Sequence, residues 1–205
     1  MTDQTNPIST YMLQMAENVA ATARSLDPDA ADLFFKEMLS AKRIYVTGAG
    51  RSGFVAKAFA MRLMHIGFDA YVVGETVTPA FSNGDTLVAF SGSGETNSVV
   101  DICELAKEIG GRVCLVTSAP ASRMGRIADC VVDVGDLTGY YRRDDTPFEL
   151  RQITGQYRSV TSAFAPLGTL FETLALVFTD AVISAIMEAR KSDVNEMKGR
   201  LSNVQ

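Results

Sequence analysis

The stretch Arg43-Ile44-Tyr45-Val46-Thr47-Gly48-Ala49-Gly50-Arg51-Ser52-Gly53 decides the fold. An apolar, β-branched run, Arg43–Thr47, enters a glycine-rich turn and passes straight into a helical pattern over 52–66. Val55, Phe59, Leu63 and Ile66 recur on related faces of that helix. The pattern predicts a strand–loop–helix unit. The same order returns downstream: the run Thr86–Phe90, the loop Ser91-Gly92-Ser93-Gly94-Glu95-Thr96, then a helix near 97–109 carrying Val99, Val100, Cys103 and Ile109. A helix N-terminus presents unpaired N–H groups and the positive end of its dipole, which favours an anion. Glycines let backbone approach that anion closely. Ser91, Ser93 and Thr96 add hydroxyls that donate without carrying charge. Backbone amides plus hydroxyls suit a terminal phosphate monoester, with no lysine or metal required.

Outward from these units, the runs Ala70–Val73, Arg112–Val116 and Cys130–Val134 read as three further strands. Helices are expected at 8–25, from Asp27-Pro28 to about Ala41, around Ser122–Ala128, and from Pro166 to about Arg190. Strands alternating with helices predict an α/β fold: a three-layer αβα sandwich with a five-stranded parallel sheet. Both glycine-rich loops then fall at the carboxyl ends of strands, where such sheets place their sites. One domain is expected over 1–205: N-terminal helices (1–41), an α/β core (42–134), a loop excursion (135–160), then the long helix and tail (161–205). The excursion holds Arg142, Arg143, Arg151 and Arg158; a functional or interface role and a solvated surface loop both fit it.

The net charge of −5 and the lack of a long basic run argue against nucleic acid or an anionic membrane as partner. The N-terminus, Met1–Pro7, is polar and has no signal-peptide pattern. The apolar helix near 173–187 contains Asp180 and is flanked by Glu172 and Glu188, so a buried or interfacial helix is expected rather than a membrane span. The three cysteines, Cys103, Cys114 and Cys130, form no C-x-x-C and sit in apolar patterns. Buried reduced thiols and a cytoplasmic location follow. With one histidine in the chain, a multi-histidine metal site is impossible, and no carboxylate cluster has metal-ligand spacing.

Gly48, Gly50 and Gly53 also fit G-x-G-x-x-G, with Glu75 near the end of the second strand. A dinucleotide-binding oxidoreductase is therefore a competing reading. Arg51 and Ser52 inside the turn, and the second hydroxyl-rich loop, weigh against it.

The order GAGRSG, SGSGET, then Ala-Pro-Leu-Gly-Thr leading to Glu172 resembles the sugar isomerase (SIS) domain. Segments 48–80, 91–100 and 165–181 bring it nearest, within that superfamily, to the 6-phospho-3-hexuloisomerase family. The resemblance implies a flavodoxin-type sheet, no cofactor, a homodimer or homotetramer, and a phosphosugar substrate. It implies conversion of D-arabino-3-hexulose 6-phosphate to fructose 6-phosphate through a cis-enediol, as in ribulose monophosphate formaldehyde fixation. Arabinose 5-phosphate isomerase is the nearest catalytic rival, and a non-catalytic phosphosugar-sensing module is the other.

Such chemistry needs one base and a donor for the enediolate oxygen. Glu172, among Leu170, Phe171, Leu174 and Leu176, matches the family's glutamate, and desolvation would raise its pKa; otherwise it is a carboxylate favoured by a helix start. His65 is the second catalytic candidate, in its own pocket or a neighbour's, against a plain structural histidine. Gly48, Gly50, Arg51, Ser52, Ser91, Gly92, Ser93, Gly94 and Thr96 are the substrate-binding candidates, against turn and N-cap roles. Glu75, Thr76 and Thr78 fit sugar contacts and a plain turn equally well. The Met61/Met64 pair is expected in the core.

Overall fold

In the computed structural model, residues 6–135, 169–191 and 198–201 are described. The excursion from 136 onward and the start of the last helix near Pro166 lie outside the described residues. The elements are α1 (Pro7–Ser25), α2 (Pro28–Ser40), β1 (Ile44–Gly48), α3 (Arg51–His65), β2 (Ala70–Val72), β3 (Thr86–Phe90), α4 (Asn97–Glu108), β4 (Arg112–Thr117), α5 (Arg123–Ile127), β5 (Cys130–Asp133) and α6 (Thr169–Arg190). The strands form one sheet in the order β2-β1-β3-β4-β5. Every neighbouring pair is parallel, as expected.

Period-two alternation divides each strand between two cores. Ile44, Val46, Val88, Phe90, Cys114, Val116, Cys130 and Val132 face one side, with α2, α3 and α6 packed on it. Tyr45, Leu87, Ala89, Val113 and Leu115 face the other, with residues of α4 and α5. Rings interlock across the first core, Phe34 against Phe178 at 5.2 Å and Phe59 against Phe90 at 6.0 Å. All three cysteines are buried and free.

The connection between β2 and β3 contains no helix. Its return is pinned instead by the buried Asp85, which accepts from Arg43 Nη2 at 2.6 Å, from Arg43 Nε at 3.0 Å and from the Ser82 amide at 2.7 Å. Arg43 also donates to Ala80 O, and Tyr45 OH reaches the same carbonyl.

α3 and α6 lie side by side and run in the same direction. Arg51 and Ser52 meet Glu172 at one end, Arg62 sits 3.8 Å from Asp180 midway, and Arg190 stacks 3.9 Å over the Phe68 ring at the other. By length and composition, Leu170–Arg190 is apolar enough to cross a membrane. One face of it, with Leu174, Phe178, Val182 and Ile186, is packed in the core. Its other face exposes Leu176 and Val177.

One side-chain placement differs from expectation. Met61 and Met64 are 47% and 43% exposed rather than core, because they lie on the face of α3 opposite Val55, Phe59 and Leu63. In α1 only Thr22 is buried, and Met12 points to solvent.

Candidate active site

The Gly48–Gly53 turn is closed by near contact of its own glycines. A Cβ on Gly53 would stand 2.9 Å from Gly48 O, and one on Gly48 would stand 2.9 Å from the Ser52 carbonyl oxygen. Gly50 is the N-cap of α3 at φ 59°, and Gly53 N donates to its carbonyl at 3.1 Å. The turn delivers Arg51 and Ser52 as the first two residues of α3, at the carboxyl end of β1.

Glu172 arrives from the first turn of α6. Its Oε1 lies 3.5 Å from Ser52 Oγ and its Oε2 3.4 Å from Arg51 Nε. Both contacts are long for hydrogen bonds. Oε2 is buried without an aligned donor, so Arg51 acts on it as a nearby charge. Burial pushes the Glu172 carboxyl above the usual carboxylate range, and Arg51 and Ser52 pull in the opposite direction. A half-buried carboxylate, loosely held beside a cation, can act as a base. Of the apolar residues expected around it, Leu170, Phe171 and Leu174 are buried; Leu176 is 40% exposed.

The second loop follows β3, the strand next to β1. Ser91 Oγ accepts from Gly94 N at 3.1 Å, and Ser93 Oγ from Glu95 N at 3.3 Å. These two hydroxyls shape the turn, yet each keeps its own proton to donate. Thr96 is the N-cap of α4 but makes no side-chain bond to the helix, so capping does not account for it. Gly92 lies tight under α6: a Cβ there would be 3.1 Å from the Phe171 ring. The two loops and Glu172 are thus brought to one end of the sheet.

His65 is not brought there. It ends α3, 13 residues beyond Ser52, roughly 20 Å away at ~1.5 Å per residue. It is buried, and its Nδ1 has no hydrogen-bond partner among the described residues. Glu75 pairs with Lys57 at 2.6 Å, and Thr78 donates to Val72 O at 2.5 Å, so both follow the turn reading. Two residues of this end were missed. Thr117 Oγ1 lies 3.4 Å from Gly92 O, and Ser118 N donates to the same carbonyl at 3.2 Å. Their only sequence signal is their place at the end of strand four. Among the described residues, no group of His, Cys, Asp and Glu could hold a metal ion.

Comparison with known proteins fits this geometry. The SIS domain family model matches residues 37–135. A 3-hexulose-6-phosphate isomerase of Bacillus subtilis is 36% identical over 195 residues, 95% of this chain and 97% of that protein. One of Mycobacterium gastri is 34% identical over 198 residues, 97% of this chain and 92% of that protein. A Methanococcus jannaschii protein, whose crystal structure was held to infer a molecular function of 3-hexulose-6-phosphate isomerase, superposes with a TM-score of 0.77 at 30% identity. That match covers 93% of this chain and 97% of the other. The chain belongs to the SIS domain family, and that membership decides against the dinucleotide reading of G-x-G-x-x-G.

Proposed function

We propose that this SIS-domain protein is a phosphosugar isomerase that converts D-arabino-3-hexulose 6-phosphate to fructose 6-phosphate. The observation that carries it is the half-buried Glu172 carboxylate, with Arg51 and Ser52 beside it, at the end of the sheet that holds both anion-type loops. Relatives named for this reaction match over nearly the whole chain.

The phosphate sits on the second loop, held by the backbone and by Ser91, Ser93 and Thr96. Glu172 takes the proton from C2, and the electron pair moves toward C3 to form the cis-enediolate. Arg51, the cation at the base, stabilises the developing oxyanion. The proton returns from Glu172 to C3, and the carbonyl is left at C2. The step moves protons within one molecule and leaves its oxidation level unchanged, so it needs no nicotinamide, and the acid–base groups named here carry it without a metal. The setting is cytoplasmic, in ribulose monophosphate formaldehyde fixation.

The working form is a homo-oligomer. Phe54, Met61 and Met64 of α3 and Leu176 and Val177 of α6 form an exposed apolar face, of a kind that marks an association surface. Arg62 and Asp180 sit within it as a loose pair. Under a two-fold axis each can meet its opposite in the other copy, so the face is complementary to itself. His65 lies one helical turn beyond Met61 on the same side of α3. It serves the pocket of the neighbouring copy, exchanging the hydroxyl protons of C2 and C3.

The test is direct. Pure protein given 3-hexulose 6-phosphate is expected to form fructose 6-phosphate, and given arabinose 5-phosphate to leave it unchanged. Turnover of the pentose alone would replace the assigned substrate.

A further inference from the structure

The second loop carries an acid, Glu95, in the middle of what is read as a phosphate site, where its charge should repel the ligand. The structure gives it another task. Its Oε1 accepts the backbone N–H of Arg123 at 2.9 Å. Arg123 is the first residue of α5, after the N-cap Ser122. The next amide, Met124 N, donates to Gly94 O at 3.1 Å. Arg123 Nη1 donates to Asn97 Oδ1 at 2.7 Å. The approach is close enough that a Cβ on Gly94, at φ +63°, would collide with the Ser122 hydroxyl. Three residues of the loop and helix start, Gly94, Glu95 and Asn97, are therefore tied to the start of α5. Ser93 and Thr96, the two hydroxyls assigned to the phosphate, flank the tied pair.

We propose that Glu95 is a positioning residue: its carboxylate pins the phosphate loop to the first amide of α5 and so fixes Ser93 and Thr96 for the ligand. This rests on the phosphate reading of that loop. The requirement is a hydrogen-bond acceptor of the right length, not a charge. Glutamine therefore serves in place of glutamate, and alanine does not.

Steady-state kinetics with 3-hexulose 6-phosphate, with inorganic phosphate as competing probe, test it. Glu95→Ala is expected to raise KM and the phosphate inhibition constant together, about ten- to hundredfold, the scale of a small misplacement of binding groups. Its kcat stays within about twofold of wild type, because Glu172 is untouched. Glu95→Gln restores both binding constants. The donor gives a second route should Glu95→Ala fail to fold. Proline is tolerated at the first position of a helix and removes the N–H. Ser122, at φ −74° and ψ 177°, already has the extended backbone that precedes proline. Arg123→Pro is expected to reproduce the loss of phosphate affinity in full, and Arg123→Ala, which keeps the N–H and gives up only the exposed side-chain bond to Asn97, only a small part of it.

Unchanged binding in Glu95→Ala, a loss confined to kcat, a glutamine variant as impaired as alanine, or Arg123→Pro matching Arg123→Ala would each overturn the proposal. Ser93→Ala and Thr96→Ala separate it from the reading beneath it. If they too bind phosphate normally, the loop is not the phosphate site. If they alone lose it, only the role of Glu95 falls.

Discussion

Ser52 Oγ lies 3.5 Å from Oε1 of Glu172, across 120 residues of sequence. The first glycine-rich turn therefore does two things. It ends β1 in a helix start, and it holds out a hydroxyl toward the carboxylate delivered by α6. The contact is long: it orients the carboxylate and lowers its basicity by less than burial raises it.

Removing that hydroxyl should affect the chemical step rather than binding. Ser52→Ala is expected to lower kcat by about tenfold, the scale of one long, weak hydrogen bond of ~1 kcal/mol plus lost orientation. KM should stay near wild type. Measured kcat and KM decide it, and a change in KM alone would place Ser52 on the substrate instead of on Glu172.

The phosphate loop gives the complementary pattern. Ser93→Ala and Thr96→Ala should each raise KM, at a cost of about 1.5–3 kcal/mol for a lost bond to a charged group. The Thr96 variant is the cleaner of the two, since its hydroxyl makes no bond to α4. Steady-state kinetics and circular dichroism check that binding is lost and the fold kept; unchanged kinetics in both would remove the phosphate from this loop.

The pH profile follows from the electrostatics of Glu172. Burial raises its pKa, and the Arg51 charge works against that rise. The base acts ionised, so kcat/KM should fall on the acid side with a midpoint above the ordinary glutamate range. In Arg51→Ala the opposing charge is gone, and the midpoint should move to higher pH. Stability moves the other way: a carboxyl whose folded pKa is raised favours the folded state as pH falls through that pKa. A kcat/KM profile whose midpoint shifts to lower pH in Arg51→Ala would contradict this picture.

The proposed pocket takes Glu172 from one copy and His65 from its neighbour. His65→Asn and Glu172→Gln should each be nearly inactive alone. Co-assembled, they should recover up to about a quarter of the wild-type rate, because symmetric assembly from two parents leaves some pockets with both native residues. Activity of the mixture equal to the sum of its parents would place the two residues outside a shared pocket.

Much of the fold was legible because pattern and packing agree. The alternation in Ile44–Val46 and Val113–Val116 and the 3.6 period of Val55, Phe59 and Leu63 each have one outcome once a parallel sheet is covered on both faces. Met61 and Met64 were not legible, since an apolar residue on the outer face of a helix looks the same in sequence whether it faces a core or another molecule. The distance of His65 from the site could have been read: 13 residues of continuous helix carry a side chain to the far end of the sheet. Glu95 also left a signal, as a negative charge inside an anion loop calls for a second explanation. What sequence could not supply is the meeting of Ser52 with Glu172, which depends on how α6 lies along α3.

Glu172→Gln tests the central claim most directly, because it keeps the side chain's shape and removes the proton acceptor. Turnover of 3-hexulose 6-phosphate should fall by at least the ~10²–10⁴-fold typical of a lost general base, with KM little changed. In heavy water, wild-type enzyme should place solvent deuterium at C3 of fructose 6-phosphate, and the variant should lose exchange and turnover together. Near-normal turnover in Glu172→Gln would contradict the account and leave Glu172 as a carboxylate favoured by the start of a helix.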